Sequence, residues 1–122
     1  WPLMAGGFFP PDPFTMEPFW RNFFEDTGLV QFIHRIAGYL LFCFGVFFWW
    51  TTRQTGNNRV KSAIKIVLGF MVLQVVLGIV TVLYAAPWYF AIVHQLGAVL
   101  LWITLIRARF LVGFPPSQNL RN

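Results

Sequence analysis

Two histidines are the residues of this sequence whose type and position best suggest chemistry. His34 and His94 each lie a few residues inside a long apolar stretch. Ionisable residues within membrane spans are rare and usually mark a functional site. Two imidazoles at one depth on separate helices can ligate a single metal ion or haem iron from opposite faces. Both histidines are therefore candidate iron ligands.

Three long apolar segments must carry these histidines. Hydrophobic residues make up 57% of the chain and charged residues 11%, whereas a soluble domain carries about 25% charged residues. The apolar segments are Leu29–Thr52, Ser62–Ala85 and Pro87–Val112. Each is long enough for a helix to cross a hydrocarbon core of about 30 Å. The predicted fold class is an all-α membrane protein with three transmembrane helices.

Charged residues are distributed unevenly along the chain. All four acidic residues precede the first span, and the connection between the second and third spans carries no charge. The flanking basic residues are Arg53, Arg59, Lys61, Lys65, Arg107, Arg109 and Arg121. Because basic residues stay on the cytoplasmic or matrix side, residues 1–28 are expected to face outward and the 113–122 tail inward. The net charge of +5 thus indicates membrane topology and not nucleic-acid binding.

This topology places both histidines at a similar depth in the outer leaflet. His34 lies five residues into the first span and His94 seven residues into the third, or about 8 Å and about 10 Å down at 1.5 Å per residue. The second span runs in the opposite direction, so Gly78 reaches the same level and Gln74 lies one turn deeper.

Small residues lie one helical turn from each histidine. The shared faces are Gln31, His34, Gly38, Leu41 and Gly45 on the first span, and Ala91, His94, Ala98 and Leu101 on the third. Gly38, Gly78 and Ala98 are therefore candidate contacts for a flat cofactor. Glycine and alanine also line ordinary helix–helix contacts in membranes, and this alternative stays open.

Arg35 lies beside the first histidine, inside the span. A guanidinium at that depth costs a few kcal/mol unless it is paired or reaches the interface. No acidic residue lies within any span. Arg35 is expected either to bind a haem propionate or to extend to the outer surface.

Other signals for chemistry are weak. Cys43 is a lone cysteine in mid-span, expected to be a small buried apolar group. The sequence has no Cys-x-x-Cys-His motif for covalent haem attachment and no Gly-rich phosphate loop. Two histidines without neighbouring Cys, Asp or Glu make a poor structural zinc site.

The segments outside the spans carry turn and capping signals. Five prolines in residues 1–28 exclude a long helix there, and this segment is expected to fold over the outer mouth of the bundle. Asp26 or Thr27 can cap the first span. The stretch 56–58 (Gly-Asn-Asn) predicts an inner turn, and Pro87 is expected at the first position of the third helix.

Four sequence strings in order resemble the haem A synthase family. They are WPLM at the start, FFEDTG followed by VQFIHRIAGY (residues 23–39), QVVLGIVTVLY (74–84) and AIVHQLGA (91–98). The resemblance is to the C-terminal half of the bacterial and mitochondrial enzymes and covers essentially the whole chain. It implies eight spans in two four-helix halves, with a histidine pair around a haem in each half. By resemblance, His34 and His94 are ligands of haem b, within part of a four-helix haem-binding bundle.

The chain departs from the family pattern in two respects. Only three spans are present, so a fourth helix is expected from another chain, from missing residues or from a larger respiratory assembly. In the family's N-terminal half, a catalytic glutamate stands three residues before the first histidine, whereas Gln31 holds that position here. No catalytic residue is therefore assigned, and whether this chain is itself an enzyme is left open.

The resemblance implies a function in making haem A for terminal oxidases by oxidation of haem O. This chain would supply the haem b half, in the mitochondrial inner membrane or a bacterial plasma membrane. Two alternatives stay open: a non-catalytic subunit that scaffolds a respiratory complex, and a generic b-type cytochrome membrane anchor.

Overall fold

Helices make up most of the described part of the chain. The computed structural model describes residues 3–4 and 6–114. A single 3₁₀ turn, Phe19–Arg21, precedes the short helix α1 (Asn22–Glu25) and three long helices, α2 (Thr27–Thr52), α3 (Asn58–Leu83) and α4 (Trp88–Gly113). Within the described residues there is no β-strand, only an isolated bridge between Met4 and Gly7. The predicted all-α fold class is confirmed.

All three long helices are suited to cross a membrane. Each has 26 residues and is strongly apolar, and at 1.5 Å per residue each is about 39 Å long. Large apolar side chains are exposed along all three, for example Leu40, Val76 and Trp102. Exposed apolar surface on this scale is expected for helices whose solvent is lipid.

The observed helix ends differ from the predicted ones because caps extend or stop the helices. α2 begins two residues earlier than predicted, and Asp26 Oδ1 accepts a hydrogen bond from Leu29 N at 2.6 Å. α3 begins at Asn58, because Asn57 Oδ1 accepts from the backbone N–H groups of the next turn. Asn58 is therefore helical and not part of the predicted turn. Pro87 is the N-cap of α4, one position before the predicted place.

The connection between α3 and α4 is a tight turn built from two alanines. Ala85 and Ala86 have φ of 57° and 54°, the left-handed region that L-residues avoid. Ala85 N donates to Val82 O at 3.1 Å, and Ala86 N donates to Thr81 O at 2.7 Å. These two bonds form a Schellman motif, in which glycine is the usual residue at the position of Ala85.

The described residues fall into two compact units that divide within α2, between Leu41 and Phe42. In the first unit, the N-terminal segment packs on the start of α2. The rings of Phe8 and Phe9 meet Phe32 edge-on, with centroids 5.9 and 4.9 Å away, and Pro10 is buried. No helix longer than four residues precedes Thr27 in the described part of this segment, as its prolines predict.

Asn22 fixes the fold of the segment before α2. Its side chain is fully buried. Oδ1 accepts from Met16 N at 2.9 Å, and Nδ2 donates to Met16 O at 2.9 Å and to Phe19 O at 2.7 Å. One amide thus binds three backbone groups of this proline-rich segment. Phe19 O also accepts from Asn22 N in the 3₁₀ turn, whereas Met16 lies outside the helices.

In the second unit, α3 and α4 pack against each other along a seam of small and apolar residues. The buried core of this unit is Ala63, Val67, Met71, Leu101 and Ala108, with Phe42, Phe70 and Leu111 packed against it. Residues early in α3 meet residues late in α4, as an antiparallel pair joined by a short turn requires. Of the predicted inward-facing tail, residues 115–122, including Arg121, lie outside the described residues. Trp1 and Pro2 of the WPLM string also lie outside them.

Candidate functional site

His94 lies in the seam between α3 and α4. It is on the second turn of α4, six residues after Trp88, and is half-buried. A Cβ built on Gly78 of α3 would lie 3.3 Å from His94 Cε1 and 3.9 Å from each ring nitrogen. The imidazole therefore approaches α3 with its Cε1 edge, at a place where only glycine leaves full room. Gly78 lies at the level of His94, as the sequence spacing predicts.

A buried amide lies one turn deeper in the same seam. A Cβ added at the buried Gly97 would overlap Gln74 Nε2. Gln74 Nε2 is itself buried and makes no hydrogen bond among the described residues. The sequence predicts the depth of Gln74 but not its contact with Gly97, because the predicted face runs from His94 through Ala98 at i+4. The i+3 spacing from His94 to Gly97 is the signal that identifies the closer contact; Ala98 is half-buried.

His34 occupies the corresponding turn of α2. It lies seven residues after Thr27, about 10 Å along the helix, and is exposed. Gln31 and Gly38, one turn to either side, are also exposed, and a Cβ at Gly38 would meet nothing within 4 Å. The face of α2 is therefore open at Gly38, one turn after His34.

In the second unit, the continuation of this face of α2 is closely packed and not open. A Cβ at Gly45 would lie 2.5 Å from Met71 Sδ and 2.6 Å from Met71 Cε. Gly45 therefore serves close helix packing, which is the alternative that the small-residue pattern left open. Cys43, expected to be buried, is exposed instead, because it projects from the opposite side of this part of the helix.

The predicted partnership between the histidines stays a prediction. His34 belongs to the first compact unit and His94 to the second, and each is described within its own unit. Arg35 is half-buried beside His34, and both readings of its role remain predictions. Within residues 3–4 and 6–114, no group of three or more His, Cys, Asp or Glu side chains comes together as a metal site.

The two acidic residues immediately before α2, Glu25 and Asp26, are engaged in local structure. Glu25 accepts two hydrogen bonds from Arg21, at 3.0 Å from Nε and 2.5 Å from Nη2. This pairing lowers the pKa of Glu25 and raises that of Arg21, although both side chains are solvent-exposed. Asp26 caps α2. Of the two residues that the sequence offers as the cap of the first span, Asp26 is the one whose side chain accepts the hydrogen bond.

Together these features define an all-helical integral membrane protein with an imidazole on the second turn of two spans. The sequence model of the COX15-CtaA family, described as "Cytochrome oxidase assembly protein", matches residues 1–106, and the chain belongs to this family.

Bacterial relatives match nearly the whole chain. Proteins named "Heme A synthase" from Ruegeria pomeroyi and Dinoroseobacter shibae are 54% and 52% identical to it over 121 residues, covering 99% of this chain. One from Cereibacter sphaeroides is 38% identical over 130 residues. The chain spans about a third of the length of these curated relatives, 32% or 33%. No solved structure matches it.

Proposed function

We propose that this chain is the haem b-binding part of a haem A synthase, equivalent to the C-terminal half of that enzyme. The observation that carries the proposal is the imidazole of His94, placed against Gly78 on the second turn of a membrane-spanning helix. The similarity to bacterial proteins named "Heme A synthase" supports the same assignment. We place the chain in a bacterial plasma membrane, with residues 1–28 outside and the connection between α2 and α3 inside.

The residues present fit a haem. His34 and His94 supply two imidazole nitrogens of the kind that ligate haem iron. Gly78 leaves room for the ring of His94, and the space at Gly38 leaves room for a planar group beside His34. Arg35 can pair with a propionate in bidentate fashion. When bound, the haem supplies reversible one-electron transfer, and the chain's own residues hold and orient it.

Gln31 is the reason to assign binding and not catalysis to this chain. It lies one turn before His34, where the resemblance places a glutamate in the family's catalytic half. An amide side chain is neutral, so it can neither take up a proton as a carboxylate base nor neutralise a cationic intermediate. The substrate haem and the catalytic glutamate would belong to the remaining two thirds of the protein.

Three spans would leave one side of a haem pocket facing lipid. We therefore propose that a fourth helix packs beside α2 and α4, from the remainder of the protein or from a partner chain. The length of the relatives, about three times that of this chain, is compatible with such a helix. Haem bound stably by this chain as an isolated monomer would contradict this part of the proposal.

The cofactor assignment is tested by optical spectroscopy of the chain co-expressed with the N-terminal two thirds of the Ruegeria pomeroyi relative. A reduced α-band typical of low-spin b haem is expected. In both His34→Ala and His94→Ala the band should fall to that of the N-terminal part expressed alone, whereas it should be unchanged in Gln95→Ala, which alters an exposed neighbour on α4. An unchanged low-spin spectrum in both histidine variants would refute the ligand assignment.

The catalytic assignment is tested in cells that make haem O but lack the synthase. The chain alone should yield no haem A, whereas co-expression with the relative's N-terminal part should yield it. Haem A formed by the chain alone would show that the assignment of catalysis to the other half is wrong.

A further inference from the structure

A cavity lies where α2 ends and α3 begins, within the second unit. Its volume is about 300 Å³, and its lining residues are Trp49, Thr52, Arg53, Lys61, Ile64 and Lys65. We call it the basic cavity. Ile64 is buried and forms an apolar floor. Lys61 and Lys65 are one turn apart on α3 and therefore project from the same face.

The basic cavity concentrates positive charge that no acidic side chain of this unit can balance. Three of its six lining residues are cations, and the sequence contains no Asp or Glu after Asp26. The guanidinium of Arg53 lies 3.7 Å from the ring centroid of Trp50, a cation–π contact that orders it. An anion that neutralises the basic cavity must therefore come from outside the second unit.

Three backbone N–H groups at the start of α3 are already used within the helix cap. Asn57 Oδ1 already accepts from Arg59 N at 3.0 Å and from Val60 N at 3.3 Å, and Lys61 N donates to Asn57 O at 3.1 Å. We therefore assign recognition to the side-chain cations that line the basic cavity, which bind a phosphate oxygen well.

We propose that the basic cavity binds the phosphate of an anionic phospholipid headgroup. Its place at the ends of two membrane-spanning helices, with tryptophan rings of the kind found at lipid–water interfaces, favours a lipid as the source of the phosphate. Basic pockets between transmembrane helices are known to accept such headgroups. A volume of about 300 Å³ suits a headgroup and leaves the acyl chains along the apolar helix surfaces.

The proposal differs from a simple topology signal in one testable respect. A topology signal requires only that basic residues lie on one side of the membrane, whereas a headgroup site requires those that line the basic cavity. Arg59 gives the matched control, because it is an exposed cation in the first turn of α3 that does not line the cavity.

The experiment is a thermal-shift titration of the detergent-solubilised chain with phosphatidylglycerol, phosphatidylcholine and inorganic phosphate. Phosphatidylglycerol should raise the unfolding temperature at concentrations where phosphatidylcholine does not. Each of Lys61→Ala and Lys65→Ala should weaken this binding by about tenfold or more, because each removes a direct hydrogen bond to a charged group, worth about 1.5–3 kcal/mol. Arg59→Ala should bind as the parent chain does, and the double Lys→Arg variant should retain binding.

Three results would overturn the proposal. The first is equal loss of binding in Arg59→Ala and in the lysine variants, which would indicate a diffuse charge effect. The second is an equal response to phosphatidylcholine. The third is saturation by inorganic phosphate at concentrations similar to those of the lipid, which would identify a free-phosphate site. Helical content measured by circular dichroism checks that each variant is folded.

Discussion

Replacing Gly78 with alanine should displace the imidazole of His94. The added Cβ would lie 3.3 Å from His94 Cε1, below the range of 3.4–4 Å for ordinary van der Waals contact. The ring must therefore yield by a few tenths of an ångström, or α3 and α4 must separate by that amount. Because the ring packs on the backbone of α3, a shift of the ring changes the direction of both its nitrogens.

Two opposing effects determine how much Gly78→Ala changes the free energy of unfolding. Overpacking a close contact costs about 1–3 kcal/mol, whereas alanine in place of glycine within a helix contributes about 0.5–1 kcal/mol in the other direction. Gly69→Ala isolates the second effect, because Gly69 lies on the same helix and a Cβ there would meet nothing within 4 Å. Gly78→Ala should therefore be about 1–3 kcal/mol less stable than Gly69→Ala.

Two measurements test this reasoning. The first is the free energy of unfolding of each variant in mixed detergents with an increasing fraction of a denaturing detergent. The second is the low-spin haem spectrum of the co-expressed protein, which should broaden or shift in Gly78→Ala alone. Equal stabilities and equal spectra for the two alanine variants would refute the close contact. A stability difference with unchanged spectra would support the contact and count against His94 as an iron ligand.

Three further predictions concern the turns and the N-terminal segment. Asn22→Ala should lower the stability of the first unit by about 2–4 kcal/mol, because three backbone bonds are lost; an unchanged thermal midpoint would contradict this. Ala85→Gly should raise the unfolding free energy by up to about 1 kcal/mol, because it removes a left-handed alanine, and a lower value would argue against the observed turn. The ion pair with Arg21 lowers the pKa of Glu25, so its stabilisation is present above the ordinary carboxyl pKa of about 4.3 and is lost as the pH falls through the lower folded value. Glu25→Gln should remove this acid-dependent loss in a thermal scan against pH, and an identical pH profile would count against the pair.

Hydropathy alone was enough to predict the three spans but not their ends. The start of α3 was missed by four residues because its first turn carries Arg59 and Lys61, and because the cap depends on one side-chain oxygen of Asn57. The connection after α3 lies where the predicted spans place it, but its left-handed conformation could not be predicted. Alanine carries no signal for left-handed backbone, so the conformation of Ala85 depends on the packing of α3 and α4 and not on its own preference.

The candidate site was predictable only in part. The level of Gly78 beside His94 follows from counting residues in two antiparallel helices with a short connection. The close approach of Gly97 to Gln74 does not follow from counting residues. It depends on the rotation of α4 about its own axis, and residue spacing alone does not determine that rotation. The pairing of His34 with His94 remains a prediction from the sequence.

The two-alanine turn also limits where residues can be inserted into or deleted from the chain. Its two hydrogen bonds fix the length of the connection between α3 and α4. Each residue added to a helix advances the helix by 1.5 Å and rotates it by about 100°. One residue inserted between Gly78 and His94 would therefore turn the imidazole away from the glycine that makes room for it. Among members of this family, insertions and deletions should be found in the 53–57 connection and be absent from the segment 78–94.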